Sequence, residues 1–120
     1  MSEPSLVSRV VILVDDDPLL TRAMARVLKG RYITLQANSG EEARRIIDTL
    51  TSPFDAVVSD FDMGNGRMNG GQFLAWVEST HPTVRRVLCT GNPDPVARSA
   101  QRILAKPASL ADLVSAIEQE

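Results

Sequence analysis

Five apolar residues with no polar interruption, Val10–Val14 (VVILV), run straight into Asp15, Asp16, Asp17 and Pro18. A β-branched run without alternation fits a strand buried on both faces, the situation of a strand inside a parallel sheet. The break after it is equally sharp. Asp17 can cap a helix with Pro18 at its first position. A buried parallel strand feeding a helix is half of a βαβ unit, so the rest of the chain is constrained to supply more of the same.

It does so. Leu20, Ala23, Met24, Val27 and Leu28 recur at helical spacing before Gly30. Tyr32–Ala37 reads as a second strand. Ser39 with Glu42 forms a capping box ahead of Ala43, Ile46, Ile47 and Leu50, and Pro53 stops that helix. Asp55–Asp60 (DAVVSD) is a third strand, followed by the glycine-rich DMGNGRMNGG. Gln72–Ser79 is a helix turning Phe73, Leu74 and Val77 inward. Arg86–Thr90 (RVLCT) is a fourth strand. Pro93 and Pro95 open a short helix through about Ala100. Ile103–Ala105 is a fifth strand, and Ser109 with Asp112 caps a last helix carrying Leu110, Leu113, Val114 and Ile117. Five strands alternating with five helices imply an α/β fold, a doubly wound five-stranded parallel sheet with helices on both faces and the fourth helix shortened.

The 120 residues suit a single domain over 1–120, with an ordered core over about residues 8–118. A net charge of -2 with scattered Lys and Arg offers no nucleic-acid footprint. Cys89 is the only cysteine, so no intramolecular disulfide can form. MSEPSLVSR has no apolar h-region, and no apolar run is long enough to span a bilayer. We therefore expect a soluble cytoplasmic domain that engages neither nucleic acid nor membrane.

In open α/β sheets, ligands bind beyond the carboxyl ends of the strands, at the point where strand order reverses. Right-handed crossovers leave few topologies. With the order 2-1-3-4-5 the first and third strands are neighbours, and Asp15, Asp16 and Asp60 converge. Thr90 and Lys106 end the fourth and fifth strands on the same side. Gathered carboxylates are costly unless neutralised, and a hard divalent cation such as Mg²⁺ does this with oxygen ligands. Asp17 is read as the helix cap; Asp15 and Asp16 are read as metal-holding.

The four segments VVILVDDDP, VVSDFDMG, VLCTG and ILAKP, in this order, resemble the receiver domain of bacterial two-component response regulators, a flavodoxin-like fold. The resemblance covers nearly the whole chain. It implies Asp60 as phosphoacceptor from a phosphohistidine on a histidine kinase or phosphotransfer protein. It implies Asp16 as a direct Mg²⁺ ligand, Asp15 acting through water, Asp60 sharing the metal, and the backbone carbonyl of Asp62 completing its shell. Thr90 matches the hydroxyl that follows the phosphoryl group. Lys106 matches the lysine that pairs with it, and Lys106-Pro107 matches a bond often cis in the family. Asp62 and Asn92 occupy positions that tune phosphoryl lifetime. The domain so implied is no conventional enzyme: it catalyses its own phosphorylation and dephosphorylation and presents a switched surface to a downstream effector protein. Oligomeric state is left open.

Several departures bear on output. Gly64 stands where the family usually has proline, and the loop reaches Gly70 or Gly71 about two residues late, so GNGRM is expected to be more mobile. The segment from Thr90 to Lys106 is short. Ile103 stands where an aromatic partner of the threonine is usual. Two other functions compete. One is a degenerate receiver used only for protein binding. The other is a small aspartyl phosphatase, since Asp60-Phe61-Asp62 resembles the DxD of haloacid-dehalogenase-type enzymes; that motif normally opens the chain, and its distal acids follow the lysine. GNGRMNGG lacks the Lys-Ser/Thr ending of a phosphate loop. Cys89 is read as an inert buried thiol, His81 as exposed, Trp76 as rim packing and Arg85-Arg86 as a solvated pair.

Overall fold

The computed structural model describes residues 9–64, 66–92 and 94–118. The N-terminal stretch through Ser8 and the helix-opening Pro93 lie outside the described residues. In chain order the elements are β1 (Val10–Val14), α1 (Pro18–Leu28), β2 (Ile33–Ala37), α2 (Gly40–Thr49), β3 (Ala56–Ser59), α3 (Gly70–Thr80), β4 (Arg85–Thr90), β5 (Arg102–Ala105) and α4 (Leu110–Glu118). The strands are parallel and lie in the order β2-β1-β3-β4-β5, as expected. Val14 lies opposite Ala37 on one side and Ser59 on the other. The carboxyl ends of β1 and β3 are thereby set side by side.

The unalternating strands are explained by two cores. Ile12, Val14, Val57 and Leu88 pack under α2 and α3 with Ala43, Ile47, Phe73, Leu74 and Val77. Val11, Leu13, Val58, Val87 and Cys89 pack on the other face with Leu28, Leu113, Ala116 and Ile117. Each such aliphatic side chain contributes about 1.5–3 kcal/mol by leaving water, an upper figure because real unfolded chains are partly collapsed. Among the described residues no helix is long and apolar enough to cross a membrane.

Most helix starts follow the sequence. The Asp17 carboxylate accepts from the Leu19 N–H at 3.0 Å, and Pro18 follows it. Ser39 Oγ accepts from the Glu42 N–H at 3.0 Å, although the Glu42 carboxylate reaches back to the Asn38 N–H rather than to Ser39. Ser109 Oγ accepts from the Asp112 N–H. α3 begins two residues earlier than Gln72 because Asn69 and Gln72 form a reciprocal capping box, with bonds of 2.9 and 2.8 Å.

The expected fourth helix does not form: among the described residues 91–101 there is no helix, so the shortening is complete. The segment is a strap with one turn, closed by the Ala100 N–H on the Ala97 carbonyl at 3.1 Å. Pro95 leaves the strap one backbone donor short. Other residues supply the bonds instead. Arg86 is 6% exposed, which corrects its reading as solvated. Its Nε donates to the Ser99 carbonyl at 2.8 Å, and its Nη1 to the Val84 and Pro82 carbonyls. Gln101 bonds both backbone groups of Arg86. Glu78 on α3 takes the Ser99 hydroxyl at 2.7 Å and lies 3.7 Å from Arg86. Arg86→Met leaves those carbonyls buried without a donor. It is expected to cost about 3 kcal/mol, read as a lowered denaturant midpoint at unchanged slope. His81 is half-buried rather than exposed, its ring 5.2 Å from Phe54 and 5.9 Å from Trp76. Trp76 packs at the rim as expected, under the Arg44 guanidinium.

Candidate functional site

Three strand ends deliver acids and a hydroxyl to one place. Asp15 continues β1 and its N–H donates to the Ala37 carbonyl at 3.1 Å. Asp60 continues β3 and its N–H donates to the Val14 carbonyl at 2.8 Å. These ladder bonds fix both backbones, so the carboxylates cannot drift apart. Oxygen atoms of Asp15, Asp16 and Asp60 all lie within 4.8 Å of one another. Asp15 is 1% and Asp60 7% exposed, whereas Asp16 stands open to solvent.

Lys106, delivered by the end of β5, bridges the two buried acids. Its Nζ is 2.7 Å from Asp15 Oδ2 and 3.3 Å from Asp60 Oδ2. The peptide bond to Pro107 is cis. Asp15 Oδ1 also accepts from the Asp17 N–H, and Asp60 Oδ1 from the Phe61 N–H at 2.7 Å. Thr90 is buried, and its Oγ1 accepts from the Asn92 N–H at 3.0 Å, leaving the hydroxyl proton free to donate. Asp62 is exposed and accepts from the Asn92 side-chain amide at 3.4 Å, so the two residues face each other across the mouth of the site.

Electrostatics follow from this crowding. Burial raises the Asp60 carboxyl above its ordinary range, and the neighbouring Asp15 charge raises it further, against the opposing pull of Lys106. For Lys106, burial works against the ammonium. The hydrogen bond and charge of Asp15, and then Asp60, outweigh it and hold the group above its usual value. Burial likewise pushes the Cys89 thiol up, in keeping with an inert buried residue. One ammonium against three carboxylates leaves negative charge uncompensated. The donor set is hard oxygen, which suits Mg²⁺.

The loop after Asp60 is anchored at both ends. Met63 is 1% exposed in the α2–α3 core. The Met68 N–H donates to Glu41 Oε2 at 2.9 Å. Between them Gly64 and Gly66 turn the chain at φ +99° and +73°, a region closed to most side chains. Sequence reading missed two parts of this neighbourhood. Asn38 donates its side-chain amide to the Asp15 carbonyl at 3.1 Å. Its place after β2, beside β1 in the expected strand order, is the signal that could have found it. Arg45 and Arg67 border the Asp16 side of the site together, and nothing in a linear sequence pairs α2 with this loop.

Fold and site thus define a flavodoxin-like α/β protein with clustered acids, a lysine and a threonine at the carboxyl ends of its strands. The chain belongs to the response regulator receiver domain family, whose model matches residues 11–118. It is 32% identical over 119 residues to the sensor kinase CckA of Brucella abortus, covering 93% of this chain and 12% of that protein. The chain therefore spans about an eighth of that relative. Among solved structures, a CheY-like receiver domain protein from Methanospirillum hungatei superposes with a TM-score of 0.82 at 20% identity, covering 94% of this chain and 93% of that one. The response regulator TrrA from Thermotoga maritima, in complex with Mg²⁺ and BeF, superposes with a TM-score of 0.77 at 20% identity, covering 89% and 94%.

Proposed function

We propose that this domain takes a phosphoryl group onto Asp60, in a Mg²⁺-dependent reaction, from the phosphohistidine of a histidine kinase or phosphotransfer protein, and passes the change to a downstream effector protein. The observation that carries this is the meeting of Asp15, Asp16 and Asp60 with Lys106 against the two buried acids. Asp15, Asp16, Asp60 and the Asp62 carbonyl would hold the ion. Bound there, it would supply neutralisation of the phosphoryl oxygens.

The remaining steps belong to the chain. An Asp60 carboxylate oxygen attacks phosphorus as the P–N bond of phosphohistidine breaks, and the imidazole keeps the electron pair. Lys106 leaves its bridge between the acids for a phosphoryl oxygen. Thr90 turns its hydroxyl proton to another. The new charge draws both groups inward, and the loops that carry them settle into a second arrangement. Asp62 and Asn92, in contact across the mouth, obstruct the water that would hydrolyse the acyl phosphate. Asn92→Ala is expected to shorten its lifetime severalfold, followed as loss of radiolabel; an unchanged lifetime would remove the pair from this role.

The test is incubation with Mg²⁺ and acetyl phosphate, with the adduct mapped by mass spectrometry. A phosphoryl adduct on Asp60 is expected, and its absence would leave the binding-only alternative. Mg²⁺ at a hundred times its dissociation constant should add about 2.7 kcal/mol to unfolding stability. That gain should vanish in Asp16→Asn. A denaturation midpoint insensitive to Mg²⁺ would count against the metal site.

A further inference from the structure

Between α2 and the loop after β3 lies a cleft of about 450 Å³ that shares Asp16 with the acid cluster and whose border includes Asn38, Glu42, Arg45, Gly64 and Arg67. Its charged groups are unequally engaged. The Glu42 carboxylate holds the Asn38 N–H at 2.6 Å. Among the described residues, neither Arg45 nor Arg67 has an ion-pair partner within 4.0 Å. Glu41 lies within electrostatic reach of both, yet its Oε2 is bonded to the Met68 backbone rather than to a guanidinium. Arg67 is not on a free loop. Its backbone N–H closes a turn on the Gly64 carbonyl, and its side-chain stem lies against Gly64. Two exposed arginines thus line a polar cleft that opens beside the acid cluster.

We infer that Arg45 and Arg67 form a carboxylate-recognition subsite that engages an acidic side chain next to the phosphohistidine of the protein donor. This rests on the phosphoacceptor role proposed for Asp60. With the transferring phosphoryl group at Asp60, the group that reaches past Asp16 into the cleft is a neighbour of the phosphohistidine on the donor surface. Guanidinium forks match carboxylates in geometry as well as charge. The subsite therefore selects among donors and sets encounter rate, while the chemistry stays with Asp60, Thr90 and Lys106. It is built partly from the lengthened loop, so that insertion has a use as a recognition element.

The experiment is a double-mutant cycle of phosphotransfer rates. The donor probe is a phosphorylated histidine phosphotransfer domain with an acidic residue beside its histidine, used as such and with that acid changed to its amide. The acceptors are the wild type, Arg45→Gln and Arg67→Gln, each also assayed with acetyl phosphate. The acidic donor's rate, relative to acetyl phosphate, is expected to fall about tenfold per arginine at low salt. The fall should disappear with the amide donor and shrink as salt screens the pair. Equal losses with both donor forms, or no loss with either, would overturn the subsite. If the wild type forms no adduct even with acetyl phosphate, the phosphoacceptor proposal itself fails, which is a separate result.

Discussion

Asp60→Asn is expected to abolish the phosphoryl adduct and, without Mg²⁺, to make the domain more stable. The first half follows from chemistry. An amide is no nucleophile toward phosphorus, and no other carboxylate has the same contact with Lys106 and the Phe61 N–H. The loss should exceed about a thousandfold. The second half follows from charge. Burial first, and the Asp15 carboxylate second, place the folded-state pKa of Asp60 above its unfolded value. A group shifted in that direction contributes stability that is fully present below the unfolded pKa. The contribution is lost as pH rises through the folded pKa. At neutral pH the ionised carboxylate is therefore a liability to the folded state, and its removal should raise stability by about 1 kcal/mol. The wild type should also gain stability on acidification into the carboxylate range, and Asp60→Asn should lack that component. Denaturant midpoints across pH, in chelator, measure both. A destabilised Asp60→Asn would show that the acid is compensated in the folded chain and that the Coulombic reading of the cluster is wrong.

The second large effect concerns Gly70, the first residue of α3. A Cβ built there falls 2.0 Å from the Asp60 carbonyl oxygen and 2.9 Å from both the Asp60 carbonyl carbon and Leu88 Cδ1. Two of those atoms are backbone, so no rotamer change relieves the overlap. The Gly70 N–H is also committed to the Phe61 carbonyl at 2.8 Å. Gly70→Ala must push α3 away from the end of β3, at about 3 kcal/mol or more. Because the displaced carbonyl is that of Asp60 itself, adduct formation should slow as well. Gly66→Ala gives the contrast. It meets nothing within 4 Å but sits at φ +73°, so it should cost only about 1–2 kcal/mol, from backbone conformation. Gly91→Ala, with neither obstacle, should stay within about 0.5 kcal/mol of wild type. Equal midpoints for all three variants would contradict the packing of α3 on β3.

The sheet was readable because its signal is local and repeated. Each of β1, β3, β4 and β5 is a short apolar run stopped by a polar residue, and the same residues that stop the strands populate the site. Caps were readable where the motif began with Ser or Asp. The Asn69–Gln72 box was overlooked, being the same device in less usual letters. The failures are non-local. Pro93 and Pro95 suggested the start of a helix, but the outcome depended on what Arg86 would do, and an arginine beside another arginine looks solvated in one dimension. Its burial becomes intelligible only once three carbonyls from two segments turn toward it. The Arg45–Arg67 cleft escaped for the same reason: it joins a helix to a loop through the fold alone.

The strap between β4 and β5 alters how far a disturbance can travel. A helix in that place would be a rigid rod able to swivel. Here the chain from Thr90 to Arg102 is a short tether, made fast at Ser99 and Gln101 to Arg86 and Glu78. A displacement passed along the strap would therefore meet Ser99, whose hydroxyl is bonded to Glu78 on α3.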